Sequence, residues 1–245
     1  MLALYKKELS SFFSSLTGFI TIIVFLLING LMLWVLETDF NILRFGFAQM
    51  DGLFILGPFV FLFLIPAITM RMFSEEKKTG TIEMLLTKPI SDFGIIFSKF
   101  LAGVTLVVFS ILPTVIYYIS VYQLGEPQGN IDSGATLGSY FGLFFLGTAF
   151  VSVGLFASAL TSNQIASFII ALFLSLFLYL GFETIYSLDL FGKVDLFIKG
   201  LGMNHHYASL SRGVVDTRDI LYFLSVITLF IALTYTLLQS RKWKK

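Results

Sequence analysis

The chain has 245 residues, of which 57% are apolar and 13% charged; soluble domains carry about 25% charged residues, so this is no water-soluble globule but an integral membrane protein. It has no cysteine, which excludes disulfide frameworks, thiolate nucleophiles and cysteine metal sites. A net charge of +1 gives no global attraction to nucleic acid, and what matters is how the charges are spread over the loops.

The N-terminal residues do not form a cleavable signal peptide, because the apolar run starts late, is too long and lacks a small-x-small site. Tyr5, Leu9, Phe12, Phe13 and Leu16 recur at spacings of three and four, with Lys6, Lys7, Ser10 and Ser14 between them. This pattern predicts a helix over 1–16 lying in the membrane interface, its lysines reaching toward headgroups.

Apolar runs of about 20 residues span a hydrocarbon core, and six are present: 17–36, 53–70, 95–122, 137–160, 165–180 and 220–239. The expected fold is all-α, a single polytopic membrane domain over 1–245. The third run exceeds one bilayer, so it is expected to start as a cytoplasmic helix, with a kink at Pro113. In the fourth run, Gly138 and Gly142 form a G-x-x-x-G pair followed by Gly147, Gly154 and Ser158, a face for close helix packing, either within the subunit, which six spans favour, or against another chain. The segment 181–219 mixes apolar clusters (Ile185, Tyr186, Leu188, Leu190, Phe191) with charges. It is too short to bury a core of its own and predicts interfacial or re-entrant helices.

Lys and Arg set the orientation. With the N-terminus inside, the inner face holds Lys6, Lys7, Arg71, Lys77, Lys78, Lys88, Lys99, Arg241, Lys242, Lys244 and Lys245, against Arg44, Lys193, Lys199, Arg212 and Arg218 outside. Both termini and the segment 71–94 are therefore expected in the cytoplasm.

The missing chemistry narrows the function. No run has an ionisable residue in its middle, which disfavours proton- or ion-coupled transport. The polar residues there, such as Thr21, Asn29, Thr105, Ser110, Thr114, Ser152 and Ser175, read mostly as packing contacts. The chain has no G-x-x-x-x-G-K-[ST] loop, so it cannot hydrolyse ATP through that motif. His205 and His206 are the only histidines and point about 100° apart on a helix, a poor two-ligand metal pair. No catalytic triad and no metal site is expected.

The segment 71–94 interrupts the apolar pattern. Ser74 with Glu75 and Glu76 reads as a helix start, Lys77 and Lys78 as its end and Gly80 as its stop. Thr81 is placed to cap a second short helix in which Ile82, Leu85 and Leu86 share a face and Glu83 falls off it, with Pro89 preventing continuation. Ser91 or Asp92 caps the next helix. A helix of about seven residues is unstable alone in water, so the membrane interface, the protein's own underside or another protein must hold its apolar face. A short helix set between paired breaks reads best as a docking knob.

These residues resemble a known family. The stretch SEEKKTGTIEMLLTKPISDFGIIFSKFLAG resembles the first cytoplasmic loop of the permease subunits of type-two ABC exporters, where E-[KR]-x-x-G-T-[IL]-E-x-L-L-x-x-P recurs. LYKKELSSFF, with Lys6, Lys7 and Glu8, is similar to that family's interfacial helix, and six spans with both ends inside match as well. Within the family, DFNILRFGFAQMDGLFILGPFVFLFLIPAITMRMFSEEKKTGTIEMLL and RGVVDTRDILYFLS are most similar to the permease associated with gliding motility in bacteria. The resemblance implies a non-enzymatic inner-membrane permease with no cofactor of its own, in which Thr81, Ile82, Glu83, Met84, Leu85, Leu86 and Thr87 form the coupling helix. It further implies a separate ATPase that binds ATP and Mg, an accessory membrane subunit, and pairing of permeases as homo- or heterodimers. The competing readings are a membrane anchor that recruits an ATPase or motility complex without transport, and a secondary transporter.

Overall fold

The computed structural model describes residues 1–87, 89–189 and 192–240. Lys88, Leu190, Phe191, Arg241, Lys242, Lys244 and Lys245, which entered the sequence reading, lie outside them, as does the Leu86 side chain. Every regular element among the described residues is helical. Helix α1 (Leu2–Ser14) precedes α2 (Leu16–Gly30), which widens into a π-helical turn over Leu31–Val35; α3 (Ile42–Phe45) is a single turn. Helix α4 (Asp51–Thr69) is followed by α5 (Ser74–Lys78), α6 (Thr81–Leu86) and α7 (Asp92–Ile111). Beyond a 3-10 turn at Leu112–Thr114 come α8 (Val115–Leu124), α9 (Ser133–Leu160) and α10 (Gln164–Leu176), which ends in a second π-helical turn, Phe177–Gly181. The chain closes with α11 (Phe182–Ser187), α12 (Asp195–Gly200), α13 (Met203–Leu210) and α14 (Thr217–Gln239).

Among the described residues six helical stretches are long and apolar enough to cross a membrane, and they coincide with the six apolar runs. The break in the third falls at Pro113, which cannot donate to the helical ladder. Starts follow local polar chemistry: the side chains of Ser91, Asp132, Asn163 and Asp216 accept hydrogen bonds from first-turn amides of α7, α9, α10 and α14.

Helix α9 is the axis of the molecule. It packs against α4, α7, α10, α13 and α14, and 78% of its apolar window is buried, against 22% for the fifth span. Close approach explains this. A Cβ on Gly138 would meet the backbone of Gly213 at 2.8 Å, and one on Gly142 would meet Leu210 Cβ at 2.7 Å. Both glycines therefore seat the α13 region against α9 within one chain, with Ser139 Oγ donating to Ser211 O at 2.8 Å. Polar residues inside the spans mostly bond their own helix: Thr105, Ser110 and Thr114 donate to Leu101, Leu106 and Ile111 carbonyls.

Because the spans alternate in direction, the N-terminus, α5, α6 and the C-terminal end of α9 share one end of the bundle, here the terminal end. Helix α3 and helices α11 to α13 lie at the other, the far end.

Candidate functional site

Helix α1 is part of the bundle as well as a candidate for the membrane interface. Its buried residues are Leu4, Glu8 and Phe12, and it packs along α7, with Tyr5 OH and Thr105 Oγ1 2.9 Å apart. Lys6 and Lys7 remain exposed, but Leu9 is only partly covered and Leu16 is 76% exposed. The face expected from the spacing is thus rotated toward Leu4 and Glu8, because a buried charge pair draws Glu8 inward.

That pair centres on Lys99, in the second turn of α7 and 1% exposed. Its ammonium donates to Glu8 Oε1 at 3.1 Å and to Glu76 Oε1 at 2.9 Å, and lies 5.2 Å from the centroid of the Phe73 ring. Lys7 Nζ stands 3.6 Å and 3.8 Å from the same two carboxylates from the solvent side. A buried ammonium must be paired to offset its desolvation, and here two carboxylates from two other elements share it. A pocket of about 310 Å³ adjoins the cluster, lined by Arg71, Glu75, Glu76 and Lys99 among others. Glu76 Oε2 is buried with no partner among the described residues.

Helix α5 is fastened on its other side to α9. The backbone amides of Phe73 and Ser74 donate to Ser158 Oγ at 2.8 Å and 3.1 Å, so a side chain from another helix fills the capping role. Lys77 Nζ returns the favour by donating to Ala159 O, a carbonyl in the last turn of α9 where a cation also complements the helix dipole. Ser74 is the first helical residue rather than a cap, and its hydroxyl donates to Met70 O. Glu75 and Lys78 are exposed.

Between α5 and α6 the backbone reverses at Gly80, with φ of +74°, a conformation that glycine adopts without steric cost. Gly80, not Thr81, is the N-cap of α6, and no side chain caps that helix. Thr81 is the first helical residue, its hydroxyl 2.9 Å from Thr79 Oγ1. Ile82 and Leu85 are 4% and 7% exposed and belong to the hydrophobic core. The protein's own underside therefore holds the apolar face of α6. Thr81, Glu83, Met84 and Thr87 point outward, Met84 with 70% of its surface exposed. Pro89 is exposed at the break, and Ser91 Oγ accepts from Gly94 N at 3.1 Å to start α7.

The two histidines sit at the far end, apart from this site. His205 is exposed, and partial burial together with the charges of His206 and Lys199 holds its ring below the usual histidine range. His206 Nδ1 lies 2.7 Å from Asp219 Oδ1 and its Nε2 lies 2.9 Å from Gly200 O. Both neighbours are acceptors, and the ring stacks on Tyr222 at 3.9 Å. Among the described residues no three His, Cys, Asp or Glu side chains are placed to hold a metal ion.

The spacing reading placed Lys99 with the loop lysines and missed both the triad and the Ser158 cap. Its partners are 91 and 23 residues away. A signal did exist: a lone lysine just inside an apolar run needs a partner.

The family described as ABC-2 family transporter protein matches residues 2–243. No curated protein matches the chain. Six spans about a buried axis, together with a family match over nearly the whole length, settle the class: the chain is a multi-pass permease of the ABC-2 transporter family.

Proposed function

We propose that this chain is the membrane half of an ATP-driven exporter and that α6 is the point at which a separate ATPase subunit docks. The observation that carries the reading is the two-sidedness of α6. Ile82 and Leu85 anchor it in the core while Thr81, Glu83, Met84 and Thr87 stay outside. A rigid projection joined to a packed bundle suits a mechanical input, since packed interfaces move between discrete arrangements rather than deforming continuously. The push received by α6 passes into α5, and from there to α1 and α7 through Lys99 and to α9 through Ser158 and Lys77.

In this reading the terminal end faces the cytoplasm of a bacterial inner membrane, as the distribution of lysine and arginine favours. ATP and Mg are bound by the partner, permeases work in pairs, and an accessory membrane subunit completes the assembly. The link to gliding motility rests on the similarity of the residue runs 39–86 and 212–225.

Co-purification tests the docking surface. Glu83→Lys and Met84→Asp are expected to release the ATPase from the detergent-solubilised permease while leaving membrane insertion and monodispersity unchanged. Retention of the ATPase by the double variant would remove α6 as the docking point. Leu85→Asp is unsuitable, because it places a charge in the core.

A further inference from the structure

Past Pro113 the third span diverges from the axis of the molecule. Helix α7 packs closely along α9, and α8 stands farther from it, joined to its start by Tyr118 and Ser133. The wedge between α8 and the first half of α9 is a groove of about 610 Å³, lined by Ile111, Val115, Leu137, Tyr140, Phe141 and their neighbours. It lies within the third and fourth spans, at their far-end halves.

The polar groups of the lining are already bonded to the protein. Tyr140 OH donates to Thr114 O at 3.0 Å, and Thr114 Oγ1, whose proton goes to Ile111 O, lies 3.1 Å from the Tyr140 hydroxyl. Tyr118 OH and Ser133 Oγ are 2.7 Å apart, and Thr136 Oγ1 donates to Asp132 O at 2.7 Å. A buried water needs two to four polar partners, and below the mouth the walls are almost wholly hydrocarbon. An empty wedge would forfeit dispersion contacts on every wall, so the occupant is apolar. Three turns of a helix about 10 Å across fill roughly 1,200 Å³, about twice this volume, so a neighbouring helix could set only one face into the groove. A flexible hydrocarbon chain fits this space. The polarity of the site is graded in the same sense as a lipid: the mouth at the far end carries the Tyr118–Ser133 pair and exposed Asp132, and the depth is hydrocarbon.

We infer that the α8–α9 groove is a lipid site that takes one acyl chain of a bilayer phospholipid from the far-end leaflet, with the headgroup level with Ser133. The chain wedges apart the two halves of the third span's contact with α9 and fixes the angle set at Pro113. This inference rests on membrane insertion alone and stands apart from the docking of an ATPase.

The test uses the full chain in vesicles of phosphatidylethanolamine and phosphatidylglycerol that include a phosphatidylethanolamine with a diazirine at mid-chain. After irradiation, labelled residues are mapped by mass spectrometry. Label at Val115, Leu137 and Phe141 is expected to exceed by several-fold that at Ile116 and Ile119, which lie on α8 and are as exposed to the bilayer. Leu137→Trp and, separately, Val115→Trp are expected to cut the label at Phe141 several-fold and leave Ile116 and Ile119 unchanged, which also reports that the variant is folded. Equal labelling of groove and outer face in the unmodified chain would overturn the inference. So would efficient disulfide pairing of two chains through Leu137→Cys, since a second copy would then cover the groove.

Discussion

Lys99 joins three elements through one ammonium, and its removal is the most informative single change. Lys99→Met would leave buried Glu8 and half-buried Glu76 facing each other with only the exposed Lys7 beside them; breaking a fully buried pair costs about 3–5 kcal/mol, which bounds the loss from above. The expected outcome is a large fall in the thermal midpoint of the purified permease, read by fluorescence-detected size exclusion after heating. The triple variant Glu8→Gln, Lys99→Met, Glu76→Gln removes all three charges and is expected to recover most of that loss, because an apolar or neutral cluster carries no uncompensated charge. If the single and triple variants were equally unstable, the triad would contribute packing rather than charge pairing. None of this was legible along the chain. The period-three and period-four pattern of Tyr5, Leu9 and Phe12 predicts a helix over 1–16, which the structure ends at Ser14, with Ser15 extended before α2; hydropathy cannot show that a glutamate on that helix turns inward when its partner is 91 residues away.

Among the elements, the order of breaks in 71–94 was legible and the contacts were not. Gly80, Pro89 and Ser91 each act through local backbone chemistry, so they mark boundaries in the sequence itself. Thr81 looked like a cap because threonine commonly serves as one, but a glycine with positive φ preceded it and took the position. The start of α5 is satisfied by Ser158, which no local rule can find. Ser158→Ala would leave two fully buried amides without an acceptor, each worth about 1–3 kcal/mol. Hydrogen exchange at Phe73 and Ser74 is therefore expected to accelerate at least tenfold, with the centre of α9 unchanged. Exchange rates equal to those of the unmodified chain would show that α5 is held by Lys77 and the triad alone. The apolar stripe of α6 was also read in part: its burial was required, and which of three surfaces provides it needed the fold.

At the scale of the whole molecule, six spans follow from six apolar runs because the bilayer fixes both length and polarity. The role of α9 as axis was foreshadowed by its small residues, since Gly138 and Gly142 admit neighbours that a side chain would exclude. The divergence at Pro113 and the resulting groove were only half visible, as a proline locates a break without giving its direction. Energy input is proposed at the terminal end, where α6 projects beside the Lys99 triad, while His206 and Asp219 tie the loop of α12 and α13 to the last span at the far end. The chain has no native cysteine, so a single introduced thiol reports its own position without background. The most direct measurement places a maleimide-benzophenone on Met84→Cys and, in a second preparation, on Leu196→Cys, each about 70% exposed but at opposite ends. After co-expression with the ATPase and irradiation in membranes, the account predicts a covalent permease–ATPase adduct from position 84 and none from position 196. No adduct from 84, or an equal yield from 196, would contradict it.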